Sequence, residues 1–233
     1  MKHARARPAK TAARRRGGEA QVALVTGFAP FDDDTVNPSQ EIARALDGAT
    51  VAGHRVVGAV LPTEFGTALP ALRALLRAHA PSVVIAVGLA GGRAEISLER
   101  VAINLIDARI ADNAGVQPVD VRVLKNGPSA YFSTLPVKAM LARLHAAGIP
   151  ATLSQSAGTF VCNQVFYGLA HALTRRLGVR GGFVHVPYLP VQAARFAGAP
   201  SLPLQTMIEA LRICIGTALT VRRDVRFAAG ATH

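Results

Sequence analysis

Cysteine is nearly missing from this sequence: Cys162 and Cys214 are the only two in 233 residues. Two thiols that far apart do not make a disulfide scaffold, and neither belongs to a C-x-x-C metal or redox pair. They read as free thiols of a reducing cytoplasm. No apolar stretch approaches the roughly 20 residues of a membrane span, and the longest, "SVVIAVGLA", reads as a buried strand. Internal repeats are absent, which removes solenoids and propellers. "GLAGG" after the apolar strand has neither the G-x-G-x-x-G spacing nor the Lys-Ser/Thr ending of a phosphate loop. The run Asp32 to Asp34 has no His or Cys beside it and reads as solvated loop rather than a cation site.

Acidic residues are also scarce, 14 against 26 Lys and Arg, for a net charge of +12. Such an excess invites a nucleic-acid partner, because basic patches gain affinity by displacing counterions from phosphates. Its distribution argues otherwise. Seven of the basic residues lie in "MKHARARPAKTAARRR"; without them and Glu19, 19 basic and 13 acidic residues remain, a net of +6. The opening segment has no periodic apolar face, so residues 1–20 read as a basic, disordered extension. It has the charge of a secretory leader, but "QVALVTGFAPFDDD" reaches glycine, proline and aspartate too soon to supply the apolar region.

What is present is half hydrophobic, enough to bury one sizeable core. Residues 21–219 are expected to form a single domain, with 220–233 as a basic C-terminal tail. "QVALVTGF", "HRVVGAVLP", "SVVIAVGL", "PATLSQSA" and "RGGFVHVPYLP" read as strands, and the continuous apolar runs point to a sheet covered on both faces. Helices are expected from Ser39 as N-cap, over "TALPALRALLRAHAP", from about Pro136 to His145, from Cys162, and over "PLQTMIEALRICIGTAL". The long segment 90–134 has weak helical signal and several turns, and is expected to contain short strands and a functional role.

Cys162 follows the turn "SAGTFV" and opens a helix, where backbone N–H groups and the helix dipole would depress a thiol pKa and could hold an oxyanion. On position alone, a small buried hydrophobe is an equal reading. Cys214, within an apolar helical pattern, reads as core. His185 stands at the carboxyl end of an apolar strand, where open α/β sheets place their sites, and can serve as base or as a satisfied core histidine. Glu99, set among Leu98, Val101, Ala102 and Ile103, is expected to be partly buried and to need a partner: a histidine in a catalytic account, Arg93 or Arg100 in a structural one.

Three blocks carry a resemblance to the pyroglutamyl peptidase I (pyrrolidone-carboxylate peptidase) family: "VTGFAPFDDDTVNPS", "GLAGGRAEISLERVAINLIDARIADNAGVQP" and "SQSAGTFVCNQVFYGLAH". "NGPSAYFSTLP" and "GFVHVPYLP" add smaller matches in the expected order. The resemblance implies a three-layer α/β/α sandwich around a mostly parallel mixed sheet, of purine nucleoside phosphorylase-like topology. It implies a Cys-His-Glu triad at Cys162, His185 and Glu99 that removes N-terminal pyroglutamate through a thioester, without cofactor or metal. It further implies a lactam pocket at Phe28, Phe31, Phe160 and Val161 with Asn37 nearby, and a cytoplasmic homo-oligomer, often a tetramer. One departure stands out: family members frequently carry glutamine where this chain has Leu89. Two rivals remain beside this reading. One is a nucleic-acid-associated protein acting through the basic tail; the other is a nucleoside-phosphorylase-like enzyme, which leaves the thiol without a task.

Overall fold

The computed structural model describes residues 21–32 and 34–230; the basic extension, Asp33 and the last three residues lie outside them. Seven strands form one sheet: β1 (Val22–Phe28), β2 (Thr50–Val51), β3 (His54–Leu61), β4 (Val83–Leu89), β5 (Ile96–Glu99), β8 (Ala151–Ser154) and β9 (Arg180–Val186), in the order β2-β3-β1-β4-β9-β5-β8. The pairings are parallel except β2 with β3 and β5 with β9, so the sheet is mostly parallel and mixed. A separate two-stranded sheet joins β6 (Val101–Ile103) to β7 (Ala130–Phe132). These short strands, with β5, lie in the segment 90–134, where short strands are expected from the sequence.

Alternation along β4 shows how the layers are made. Val83, Ile85 and Val87 pack with helices α1 (Pro38–Leu46), α3 (Val137–Ala146) and α6 (Leu204–Thr220). Val84 and Ala86 pack with α2 (Ala68–His79) and α4 (Val161–Leu173) on the other face. A strand buried on both faces needs apolar residues at every position, which is why β4 reads as an unbroken run. The three-layer α/β/α sandwich follows from these two apolar clusters. A short helix, α5 (Pro190–Ala193), follows β9.

Two local expectations change. The N-cap of α1 is Asn37, not Ser39: the Asn37 side chain accepts from the Ser39 N–H, and Pro38 fills the first helical position, where its missing N–H costs nothing. Ser39 lies inside the first turn, where its hydroxyl donates to Asn37 Oδ1 and accepts from the Phe28 N–H, tying α1 to the end of β1. The segment after α6, expected as a basic tail, carries an acid with a structural task. Asp224 accepts from the N–H groups of Lys138 and Ala139 and so caps α3, which has no side-chain cap of its own at Pro136. Such a cap is worth about 1 kcal/mol.

Candidate active site

Register alone brings Glu99 and His185 together. In the antiparallel β5–β9 pair, Ser97 stands opposite His185 and Glu99 opposite Phe183, so Glu99 and His185 are diagonal neighbours on one face. Diagonal positions lie about 7–8 Å apart at the backbone, a span that a glutamate and a histidine close between them. His185 Nδ1 is 2.7 Å from Glu99 Oε1. Had β5 run parallel to β9, this register would not exist.

The same face of β4 carries Gly88, which pairs with His185 across the β4–β9 ladder. A Cβ built on Gly88 would stand 2.8 Å from Cys162 Sγ and 2.9 Å from the Phe183 ring. The thiol therefore rests over the bare backbone of the residue beside His185. Cys162 is the second residue of α4, and its position is fixed by polar side chains on the same helix. Asn163 donates to the carbonyls of Ile103 and Leu105 and accepts from the Ile103 N–H. Gln164 donates to the Phe65 carbonyl, and the Tyr167 hydroxyl to that of Pro128. Phe160, at the N-cap, offers no side-chain cap, so the first-turn N–H groups of α4 remain available to an oxyanion.

Glu99 is fully buried, beyond the partial burial expected. Burial by itself raises its pKa, but the hydrogen bond and charge of His185, with further help from Ser154 and Arg93, reverse that and hold the carboxyl below its ordinary value. Arg93 Nη1 donates to the same Oε1 at 2.8 Å, while Oε2 is buried without a partner among the described residues. Both readings of Glu99 are thus realised at once: the arginine and the histidine share one oxygen. An ionised carboxylate only accepts, so His185 Nδ1 carries a proton and Nε2 turns its lone pair away from Glu99. Burial pushes the His185 pKa down, and Glu99 only partly restores it, so the imidazole rests neutral.

The thiol departs from expectation. Instead of being depressed by the helix start, its pKa is pushed up to about 12, first by burial and then by the Glu99 charge, against which Arg93 and the backbone hydrogen bond are too weak. A helix terminus stabilises an anion by roughly 0.3–1 kcal/mol, a small effect beside desolvation. The resting site is therefore neutral thiol, neutral imidazole and ionised glutamate.

These groups open on a cavity of about 300 Å³ lined by Phe28, Phe31, Asn37, Thr63, Leu89 and Phe160, with Cys162 and His185 in the same lining. Phe160 packs edge-on against Phe65, with ring centroids 5.2 Å apart, and lies 6.1 Å from Phe31. Asn37 Nδ2 and the Thr63 hydroxyl both donate to the Ala29 carbonyl, which fixes the loop leaving β1. Of the sequence-derived pocket residues, Phe28, Phe31, Asn37 and Phe160 line the cavity. Val161 does not: it has no exposed surface and packs into the apolar layer beneath α4. Leu89 contributes an apolar wall.

Sequence reasoning missed Thr63, Asp112, Asn163 and Gln164. Thr63 follows the carboxyl end of β3, the kind of position that had singled out His185. Asp112, buried in the turn "DNAG", accepts from the N–H groups of Phe65, Ala114 and Val116, and Asn113 donates to the Pro30 carbonyl. The long segment after β6 thereby staples two cavity loops together. Asn163 and Gln164 carried a usable signal: two amides at the start of an otherwise apolar helix need partners when buried.

Comparison with known proteins covers the whole of this domain. The family described as pyroglutamyl peptidase matches residues 21–221. A pyrrolidone-carboxylate peptidase of Cupriavidus taiwanensis is 57% identical over 212 residues, covering 90% of this chain and 98% of that protein. One from Escherichia fergusonii is 56% identical over 210 residues, with the same coverage. Among solved structures, the pyroglutamyl peptidase I of Bacillus amyloliquefaciens superimposes with a TM-score of 0.87 at 44% identity, covering 90% of this chain and all of that one. The pyrrolidone carboxyl peptidase of Thermococcus litoralis gives 0.86 at 37% identity, covering 89% and 99%.

Proposed function

The chain belongs to the pyroglutamyl peptidase family, and from that premise we propose that it hydrolyses the amide bond following an N-terminal pyroglutamate, with Cys162 as nucleophile, His185 as base and Glu99 as the orienting carboxylate. The observation that carries the assignment is the position of the Cys162 thiol over Gly88, the strand partner of a histidine whose other nitrogen is held by a buried glutamate.

The substrate suits the cavity. Pyroglutamate is a flat, uncharged lactam, and the walls formed by Phe28, Phe31 and Phe160 can accept its ring without meeting a charge. A free α-ammonium would have to shed its water there, which disfavours ordinary N-termini.

Because the thiol and imidazole rest neutral, the first step is a transfer of the Sγ proton to His185 Nε2 as sulfur attacks the pyroglutamyl carbonyl. The carbonyl electron pair moves to oxygen, where the N–H groups at the start of α4 receive it. The intermediate collapses, the C–N bond breaks, and the departing amine takes the proton from Nε2. Water then gives a proton to Nε2 and adds to the thioester; the C–S bond breaks, pyroglutamate leaves, and the imidazolium returns its proton to sulfur. Glu99 keeps the ring in one tautomer and stabilises its transient positive charge.

The catalytic unit in this proposal spans residues 21–219. A reduced thiol is required, which supports a cytoplasmic setting. Phe132, 73% exposed on β7, with exposed Val116, Val119 and Val121 on the preceding segment, supports a homo-oligomer. The test compares release from a fluorogenic pyroglutamyl amide and from the matching glutamyl amide, by the reduced protein and by Cys162→Ala. Release from the lactam alone, reduced by about 10⁴-fold or more in the variant, is the expected result. A folded, reduced protein that cleaves neither amide refutes the reading.

A further inference from the structure

A second cavity, of about 330 Å³, continues from the first. The two share Phe31, Leu89 and Gly91 as walls, and the second is completed by Asp32, Asp34, Tyr188, Arg195 and Phe196. Its direction from the reacting atoms follows from the chain. His185, which would protonate the departing amine, pairs with Gly88; Leu89 and Gly91 come just after Gly88, and Tyr188 three residues after His185. Of the lactam-accepting walls, Phe28 and Phe160 belong to the first cavity alone, while Phe31 stands between the two. What lies beyond the scissile nitrogen is thus directed along the ends of β4 and β9 into the second cavity.

Its chemistry is aromatic. The Tyr188 ring lies against the backbone of Gly91, so closely that a Cβ there would stand 2.2 Å from the hydroxyl oxygen. Phe196 stacks on Tyr188, with centroids 5.4 Å apart and planes at 19°, yet is itself 47% exposed. Charge is confined to Asp32, Asp34 and Arg195 of its lining. The Asp34 carboxylate pairs with Arg195 and accepts from Gln192 Nε2 at 2.8 Å, and the same Nε2 donates to the Val36 carbonyl. These bonds also tie the loop after β1 to the turn after β9, so the two walls are held together before any ligand arrives.

We propose that this cavity is the subsite for the residue following pyroglutamate, and that Tyr188 and Phe196 make it selective for a large apolar side chain, above all an aromatic one. The assignment rests on the peptidase reading above. An added ring on the substrate gains contact with Phe196 that an alanine side chain cannot make.

The experiment measures kcat/KM for pyroglutamyl-phenylalanine amide and pyroglutamyl-alanine amide, following released pyroglutamate, in the wild type, Phe196→Ala and Phe196→Leu. The wild type is expected to favour phenylalanine by about fivefold, with the preference lost in Phe196→Ala and partly kept in Phe196→Leu. Because Phe196 is half exposed, both variants are expected to fold, and the ratio within each variant is independent of how much protein is active. Cleavage of both amides with the same ratio in all three proteins overturns the subsite while leaving the peptidase intact. A wild-type preference for an acidic residue, abolished by Arg195→Ala, moves selectivity to the guanidinium and overturns the aromatic assignment. Cleavage of neither amide by the wild type sinks the peptidase reading, and the subsite with it.

Discussion

Cys162 and Cys214 occupy opposite layers of the sandwich and share one property: burial pushes each thiol up to about 12. Cys214 sits in the middle of α6, with no exposure, among the apolar side chains that cover the α1, α3 and α6 face. Cys162 sits at the start of α4, partly exposed, above a glycine and next to the position of a histidine. If acidity at rest decided reactivity, neither cysteine would be a nucleophile. What separates them is a proton acceptor and a cavity for the acyl group, both of which the α4 face supplies among the described residues.

The sharpest way to break this comparison is to weaken the acceptor without touching the sulfur. Glu99→Gln is expected to lower kcat by about 10³–10⁴-fold, because the amide no longer enforces the tautomer or stabilises the imidazolium. It carries a second signature. Burial lowers the His185 pKa and Glu99 raises it, so removing the carboxylate moves the acid limb of the pH–rate profile to lower pH even as the rate falls. A limb that moves upward contradicts the arrangement.

Next in size is Gly88→Ala, which changes none of the reacting residues themselves. Its Cβ would lie 2.8 Å from Cys162 Sγ, so the thiol must shift, and a loss of about 10²-fold in kcat/KM is expected, with unchanged secondary structure by circular dichroism. An activity within twofold of the wild type would remove the thiol from its place over β4. Cys214→Ala makes the opposite case: activity per folded molecule is retained, while the packed core of α6 loses about 1 kcal/mol in a urea titration.

The smallest effect is one of pH on the unaltered protein. His185 and Glu99 both have folded-state pKa values below their ordinary ones, 6.5 and 4.5. As acidity increases the unfolded chain therefore binds each proton first. Their contribution to stability is complete above about pH 6.5 and is lost as pH falls through the folded values. Activity should follow the histidine, holding through pH 6.5 and declining only below it as Nε2 becomes protonated.

Local chemistry made much of this legible. The apolar runs of β1, β4 and β9, the helix start at Cys162 and the strand-end position of His185 are all written within a few residues of themselves. Family motifs then singled out Glu99, which residue reasoning alone had left between an arginine and a histidine. What escaped was non-local. β5 is four residues long and its antiparallel placement between β9 and β8 is a property of the assembled sheet, yet that placement creates the Glu99–His185 diagonal. The thiol was misjudged for the same reason: a helix start is visible in sequence, whereas the low polarity around sulfur is made by side chains from distant strands. The resemblance implies Val161 in the pocket, but successive helical residues point about 100° apart, and its side chain turns into the core while the neighbouring Cys162 faces the cavity.

Gly88 has a further meaning for inheritance. Glycine and alanine codons differ by a single base, so one point substitution at this position would add one methyl group, preserve every residue named in the reaction and still bring the expected loss of activity. Screening a variant for intact nucleophile, base and carboxylate would pass such an allele as functional. The vulnerable information at this position is a volume kept empty, which an inventory of reactive groups does not record.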